Sequence, residues 1–99
     1  MFNNGMRPIH PGEILREDYL NALDMTPNAL ALALRVPATR IHEIVKERRG
    51  ITPDTALRLA RYFGGDAKSW LNLQAEYDLK VAARNIGKEI EKEVSPRAA

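Results

Sequence analysis

The chain of 99 residues contains no cysteine, no long apolar run and almost no pattern typical of β-strands. Without cysteine it can form neither a disulfide nor a thiolate metal site, which suits a reducing cytosol. No apolar run approaches the roughly 18 residues that a membrane helix needs. The N-terminus also lacks a basic segment followed by an apolar stretch, the signature of a secretion signal. We therefore expect a cytoplasmic protein that has no membrane partner.

Neither sign of charge dominates, since 15 Lys and Arg oppose 13 Asp and Glu for a net charge of +2. The distribution along the chain is uneven. Residues 35–49 contain five basic and two acidic side chains, a local charge of +3, whereas all the other residues together carry −1. The average therefore hides a short basic segment, a pattern that suits contact with a nucleic acid. The hydrophobic share of 44% is normal for one folded domain and argues against disorder over most of the chain.

Side chains suited to catalysis or metal binding are sparse. His10 and Glu13 could act as acid and base, but the sequence supplies no nucleophile, no glycine-rich phosphate loop and no third orienting group. His10 and His42 have no further ligands at a spacing that one helix face would gather. We expect no enzymatic activity, no metal and no cofactor. His10 should cap or pack against a helix, and His42 should be exposed.

Apolar residues recur at helical spacing, and caps, prolines and glycines divide the chain into five helices. The first helix should follow Pro11 and Gly12, with Ala22 and Leu23 on its apolar side. Two cap-plus-proline pairs, Thr26-Pro27 and Thr52-Pro53, should begin the second and fourth helices. The third should span about residues 38–47 and end at Gly50 in the left-handed conformation. Asp66 should cap a long fifth helix, in which Trp70 packs on the core. Leu57 is expected in the apolar stripe of the fourth helix.

We divide the chain into an irregular start (residues 1–10), a helical domain (11–79), a helical extension (80–94) and a disordered tail (95–99). The extension has one thin apolar stripe and a charged remainder. Such a narrow apolar stripe does not stabilise a helix by itself, so the segment frays, packs back on the domain or pairs with a partner chain. For the last case, the candidate contact residues of a homodimer are Leu79, Ile86 and Ile90.

Residues 26–47 form the most informative unit: a short helix, a three-residue turn and a second short helix with a polar outer face. Proteins that bind DNA through this arrangement insert the second helix into the major groove, which is about 12 Å wide. The first helix supports it and offers its N-terminal N–H groups to a phosphate.

The run MTPNALALALRVPATRIHEIVKERRGITPDTALRLARYFG resembles the helix-turn-helix of the phage-repressor (Xre) superfamily, whose fold is lambda-repressor-like. The flanking runs HPGEILREDYL and WLNLQAEYDL are similar to those of the HigA (VapI-type) antitoxins of bacterial toxin–antitoxin operons. Together the three blocks cover residues 10–79 in the expected order and spacing. The resemblance implies an all-α domain of five helices followed by a helical extension.

The same resemblance implies an antitoxin that binds double-stranded operator DNA as a homodimer and represses its own operon. It also implies neutralisation of a HigB/RelE-like toxin that cleaves mRNA on the ribosome, in the bacterial cytoplasm and at the nucleoid. Residue by residue, the positions that read bases in the family correspond here to Ala38, Thr39, Arg40, His42, Glu43 and Lys46. The positions that contact phosphate correspond to Thr26, Arg35, Arg48 and Arg49.

Two departures from the family pattern affect the turn and the start of the third helix. Arg35 stands where the family usually has glycine, and a left-handed backbone there costs on the order of 1 kcal/mol for any other residue. Pro37 replaces the usual Ser or Thr, so the third helix lacks a side-chain cap. With Ala38 beside it, the tip of this helix has few hydrogen-bonding groups. Two alternatives therefore stay open: a stand-alone Xre-family repressor without a toxin, and a protein-interaction module that no longer reads DNA sequence.

Overall fold

The computed structural model describes residues 7–98, which form helices and contain no strand, so the predicted all-α fold with five helices is confirmed. The first helix begins as α1 and continues without a break as a π-helical stretch. Most of the predicted irregular start and the last residue of the predicted tail lie outside the described residues. The helices are α1 (Pro11–Ile14) with its π-helical continuation (Leu15–Leu20), α2 (Pro27–Leu34), α3 (Ala38–Val45), α4 (Pro53–Phe63) and α5 (Ala67–Glu93).

The start of α1 is capped by a histidine and lies directly on α3. The backbone N–H of Gly12 donates to Nδ1 of His10 at 2.8 Å, and the His10 ring lies edge-on to Tyr77, 4.8 Å between centroids. His10 is buried, and this burial lowers its pKa below the ordinary 6.5. The lowered pKa favours the neutral ring, which alone can accept a hydrogen bond. The predicted capping and packing role of His10 is confirmed.

Gly12 allows a very close contact between α1 and α3. A Cβ atom at this position would lie only 1.8 Å from the carbonyl oxygen of Ile44 in α3. The absence of a side chain therefore sets how closely α1 and α3 approach. The sequence placed Gly12 at the start of a helix but gave no sign of this contact.

The core lies where all the helices meet, and its central side chains have no exposed area at all. These are Leu15, Leu30, Ile41, Ile44, Ala56 and Leu59. Each large apolar side chain buried in this way contributes about 1.5–3 kcal/mol. Trp70 of α5 is buried as predicted, and Tyr19 lies against both Trp70 and Phe63, with ring centroids 5.2 and 4.8 Å away. This aromatic cluster fixes the first helix against α4 and α5.

Three apolar residues that we expected on buried faces are exposed. Ala22 and Leu23 follow the end of the first helix, in a turn where Asp24 is left-handed (φ 52°). In α4 the side chain that packs inward beside Ala56 is Leu59, so Leu57 lies on the other side and is 64% exposed. These predictions were wrong because the helix boundary and the buried face depend on what packs against each segment.

Of the three caps predicted for α2, α3 and α4, the Thr26 cap has the expected form and the other two differ. Thr26 caps α2 as expected, because its hydroxyl accepts from the N–H of Ala29 at 3.1 Å. Thr52 precedes α4 but makes no side-chain cap, since its hydroxyl contacts only the Thr55 hydroxyl, at 3.4 Å. The left-handed residue after α3 is Glu47 (φ 64°) and not Gly50. Glycine at position 50 is needed for space, since a Cβ there would lie 2.8 Å from the side chain of Gln74.

The long helix α5 starts at the predicted cap, where the Asp66 carboxylate accepts from the N–H of Ser69 at 2.8 Å. Its 27 residues extend about 40 Å, so the C-terminal half projects beyond the core. The extension is helical to Glu93, and its apolar side chains Leu79, Ile86 and Ile90 are 58%, 44% and 37% exposed in the single chain. Pairing with a partner chain therefore stays a prediction. No helix in residues 7–98 is long and apolar enough to span a bilayer.

Candidate nucleic-acid interface

Helix α3 buries one face and presents a polar stripe on the opposite one. Ile41 and Ile44 are fully buried against the other helices. At about 100° per residue, Thr39, Glu43 and Lys46 then share the outward side of the helix. Thr39 and Lys46 are exposed, and Glu43 is half-buried. We call these three residues the outward stripe.

Each flank of the outward stripe is attached to a neighbouring helix. On one side Nε2 of His42 lies 2.8 Å from Oδ1 of Asn28 in α2, and His42 is half-buried. The prediction of an exposed His42 was therefore wrong, because α2 supplies a polar partner. On the other side Nη1 of Arg40 donates to Oδ2 of Asp54 in α4 at 2.5 Å.

Asp54 joins Arg40 to a second arginine. The same carboxylate oxygen accepts from Nε of Arg58 at 3.1 Å, and Nη1 of Arg58 donates to the carbonyl of Leu34 at 2.8 Å. Hydrogen bonds from the two guanidinium groups, Arg40 first, hold the pKa of Asp54 below its ordinary value. Asp54 therefore stays ionised, and the end of α2 is connected to α3 through α4.

The residues predicted to contact phosphate lie at the start of α2, in the turn after it and in the loop after α3. Thr26 uses a lone pair for its cap, and its hydroxyl proton stays available to donate. Arg35 is exposed and left-handed (φ 61°), so this turn keeps the left-handed conformation without a glycine. Arg48 lies 3.8 Å from Glu43, whereas Arg49 is exposed and has no ion pair with any residue in the described range.

The N-terminus of α3 carries few hydrogen-bonding groups. Pro37 occupies the cap position without a side-chain hydrogen bond, and Ala38 next to it is exposed. The predicted loss of a cap is confirmed. Thr39 and Arg40 are therefore the first side chains of α3 that can form hydrogen bonds.

Arg16 anchors the other end of α3, a role that the sequence pattern did not indicate. Its Nη1 donates to the carbonyl of Val45 at 2.5 Å, and its guanidinium lies 3.5 Å from the Glu47 carboxylate. Helical spacing had placed Arg16 on the solvent face of the first helix. No local signal reveals that a long side chain on that face reaches another helix.

Gln74 holds the loop after α3 in a similar way. Its Oε1 accepts from the backbone N–H of Ile51 at 2.7 Å, and its Nε2 donates to Asp78 at 3.0 Å. The sequence had suggested no role for this glutamine. Because Gly50 packs on the same side chain, the loop carrying Arg48 and Arg49 ends at a fixed point on α5.

In the part of the chain that the structure describes, the histidines and carboxylates do not assemble into a metal site. His10 is buried in its cap, and Glu13 instead forms an ion pair with Arg7 at 2.8 Å. Residues 7–98 contain no group of three or more His, Asp or Glu side chains able to hold a metal ion.

Two short helices joined by a left-handed turn, the second with an exposed polar face, define a helix-turn-helix domain. The helix-turn-helix family HTH_3 matches residues 17–69, and the chain belongs to this family. The match contains both helices of residues 26–47 and the α4 helix that follows.

Individual proteins are similar to this chain over most of its length. Virulence-associated protein I of Dichelobacter nodosus is 63% identical over 82 residues, which are 83% of this chain and 76% of that protein. Antitoxin HigA-1 of Vibrio cholerae is 32% identical over 73 residues, 74% of this chain and 69% of that protein. The structure of the Pseudomonas aeruginosa antitoxin HigA with the higBA promoter is 52% identical, with a TM-score of 0.91 over 93% of this chain and 100% of that one. The resemblance to HigA (VapI-type) antitoxins is confirmed. Two of these three relatives are antitoxins, in agreement with the prediction of a non-enzyme.

Proposed function

We propose that this chain is an antitoxin that binds operator DNA through α3, represses its own operon and neutralises a toxin encoded beside it. The outward stripe carries the proposal, because it presents polar side chains on a supported helix. The support from comparison is that a chain 52% identical to this one, with the same fold, is an antitoxin whose structure includes promoter DNA.

The chemistry of the stripe and its flanks suits a major groove. Arg40 and Lys46 can donate to guanine, Glu43 can accept from the amino group of cytosine, and Thr39 can contact either type of base. Thr26 and Arg35 precede α3 in the chain, and Arg48 and Arg49 follow it. These four residues are suited to phosphates, which orient the protein without reading sequence.

The test compares two duplexes, the DNA directly upstream of the chain's own gene and a scrambled duplex of equal composition. By fluorescence anisotropy we expect preference for the upstream duplex, and Lys46→Ala should reduce it. Lys88→Ala, which also removes an exposed positive charge, but from the distal part of α5, is the matched control and should leave the preference unchanged. Equal binding of the two duplexes with a steep salt dependence would contradict operator recognition and favour the protein-interaction alternative.

A toxin partner is tested separately from DNA binding. A gene of about 90–110 codons for a basic, RelE-like protein should lie beside this one, as the family resemblance implies. Co-expression should restore growth that this neighbour alone inhibits, and the two proteins should co-purify. A neighbour of another type, or no rescue and no complex, would leave a stand-alone repressor as the function.

We propose that the dimer forms through α5, since paired half-sites need paired recognition helices. Leu79, Ala83, Ile86 and Ile90 follow a 4-3-4 spacing, which is typical of helices that pair along one seam. The full-length Ile86→Glu variant should be monomeric by light scattering. The Asn85→Glu variant, in which the same glutamate is introduced at an exposed neighbouring position, should remain dimeric. A dimeric Ile86→Glu variant would place the dimer contact elsewhere.

A further inference from the structure

Arg40 is the one arginine among the predicted base-reading residues, and Asp54 of α4 holds its guanidinium. The ion pair with Asp54 leaves the Arg40 side chain only 28% exposed, whereas Thr39 and Lys46 are exposed. Asp54 is in turn held by Arg58, which is fastened to the carbonyl of Leu34. The position of Arg40 is therefore set by three helices.

A carboxylate beside the outward stripe is unfavourable for DNA binding if charge alone is considered. Asp54 is 53% exposed and ionised, and it lies at the flank of the helix that would meet DNA, where it repels phosphate. Two guanidinium groups share this carboxylate, so the cluster keeps a net positive charge. Asp54 engages a single terminal nitrogen of Arg40, and a guanidinium offers five N–H donors. The remaining donors can still form a fork toward a base.

We propose that Asp54, supported by Arg58, is a specificity-determining residue that positions Arg40 for base reading. An unrestrained arginine has many rotamers and loses that freedom on binding, and it can equally contact a phosphate. Held by Asp54, the guanidinium has a defined orientation before DNA arrives. Asp54 then weakens general attraction to DNA and improves discrimination between sequences. The inference rests on the proposed operator binding and adds a positioning residue that does not lie on the recognition helix.

The test uses the full-length chain and the two duplexes named above, the upstream fragment and its scrambled counterpart. Asp54→Asn keeps the size of the side chain and removes its charge. We expect discrimination between the duplexes to fall about tenfold, the effect of one well-oriented arginine–base contact. Affinity for the scrambled duplex should stay equal or rise, because a negative charge is lost. Asp18→Asn removes an exposed carboxylate from the first helix and controls for net charge.

Repeating the comparison in an Arg40→Ala background separates positioning from general effects. If Asp54 acts through Arg40, Asp54→Asn should change discrimination by less than about twofold in that background. Equal losses of discrimination with and without Arg40, or no loss in the single variant, would overturn the inference. An exposed ion pair contributes little to folding, and thermal unfolding of each variant checks this directly. Absence of preference in the unaltered chain would instead overturn the proposed function, and with it the basis of this inference.

Discussion

Replacing Gly12 with alanine should destabilise the domain far more than the addition of one methyl group suggests. The new Cβ would lie 1.8 Å from the carbonyl oxygen of Ile44, 2.8 Å from its carbonyl carbon and 2.9 Å from Nδ1 of His10. Two of these three atoms belong to the backbone of a buried helix, so no side chain can move aside. To reach even 3.0 Å from the oxygen, α1 would have to shift by about 1.2 Å.

The expected magnitude combines three contributions. Overpacking in a core typically costs about 1–3 kcal/mol. Displacement of the His10 cap adds about 1 kcal/mol. Alanine regains about 0.5–1 kcal/mol, because it loses less backbone entropy than glycine in a helix. The net loss is about 1–3.5 kcal/mol, a substantial share of the roughly 5–15 kcal/mol that holds a domain together.

Urea unfolding followed by circular dichroism measures this loss. We expect the Gly12→Ala midpoint to fall by about 1–2 M at an unchanged slope. Gly50→Ala is the matched control, since its Cβ would also lie 2.8 Å from another atom, but that atom is the movable end of Gln74. Losing the Gln74 hydrogen bond to Ile51 should cost only about 1 kcal/mol. A Gly12→Ala variant within about 0.5 kcal/mol of the unaltered chain, or no less stable than Gly50→Ala, would refute the backbone contact as a constraint.

Three further predictions concern pH, the turn and phosphate contact. Stability should fall as the pH drops below about 6.5, because unfolded His10 takes up a proton while the lowered pKa keeps the folded ring neutral. His10→Asn, which can still cap α1, should lack that part of the pH slope in urea titrations, and an unchanged slope would exclude His10 as its source. Arg35→Gly should raise the unfolding free energy by about 0.5–1 kcal/mol by removing left-handed strain, and a lower melting temperature would contradict this. Arg49→Ala should reduce the slope of log affinity against log salt by about 1 if Arg49 contacts one phosphate, and an identical slope would exclude that contact.

The helices were predictable because their boundaries are encoded locally. Thr26 and Asp66 cap the helices that the sequence assigned to them, and each cap needs only residues within one turn. Glu47 shows the limit of such signals. Gly50 was the obvious left-handed residue, but the left-handed residue is Glu47, three positions earlier, and the glycine at position 50 is needed for space against Gln74.

The side-chain contacts that hold the candidate interface in place were not predictable from one sequence. Arg16, Arg58 and Gln74 are long polar side chains on faces that helical spacing assigns to solvent, yet each bonds to the backbone of another segment. Periodicity indicates which face is polar, and it contains no information on what a flexible side chain reaches across the fold. The outward stripe was predictable, because Thr39, Glu43 and Lys46 follow directly from the burial of the opposite face of α3.

Selection of binding sites from a pool of randomised duplexes tests the central claim most directly. The purified full-length chain is incubated with the pool, and bound DNA is recovered and sequenced over several rounds. We expect enrichment of two related half-sites with centres about 10 base pairs apart, one for each recognition helix of a dimer. A pool that stays random while the protein still binds DNA in a salt-dependent way would contradict operator recognition by α3.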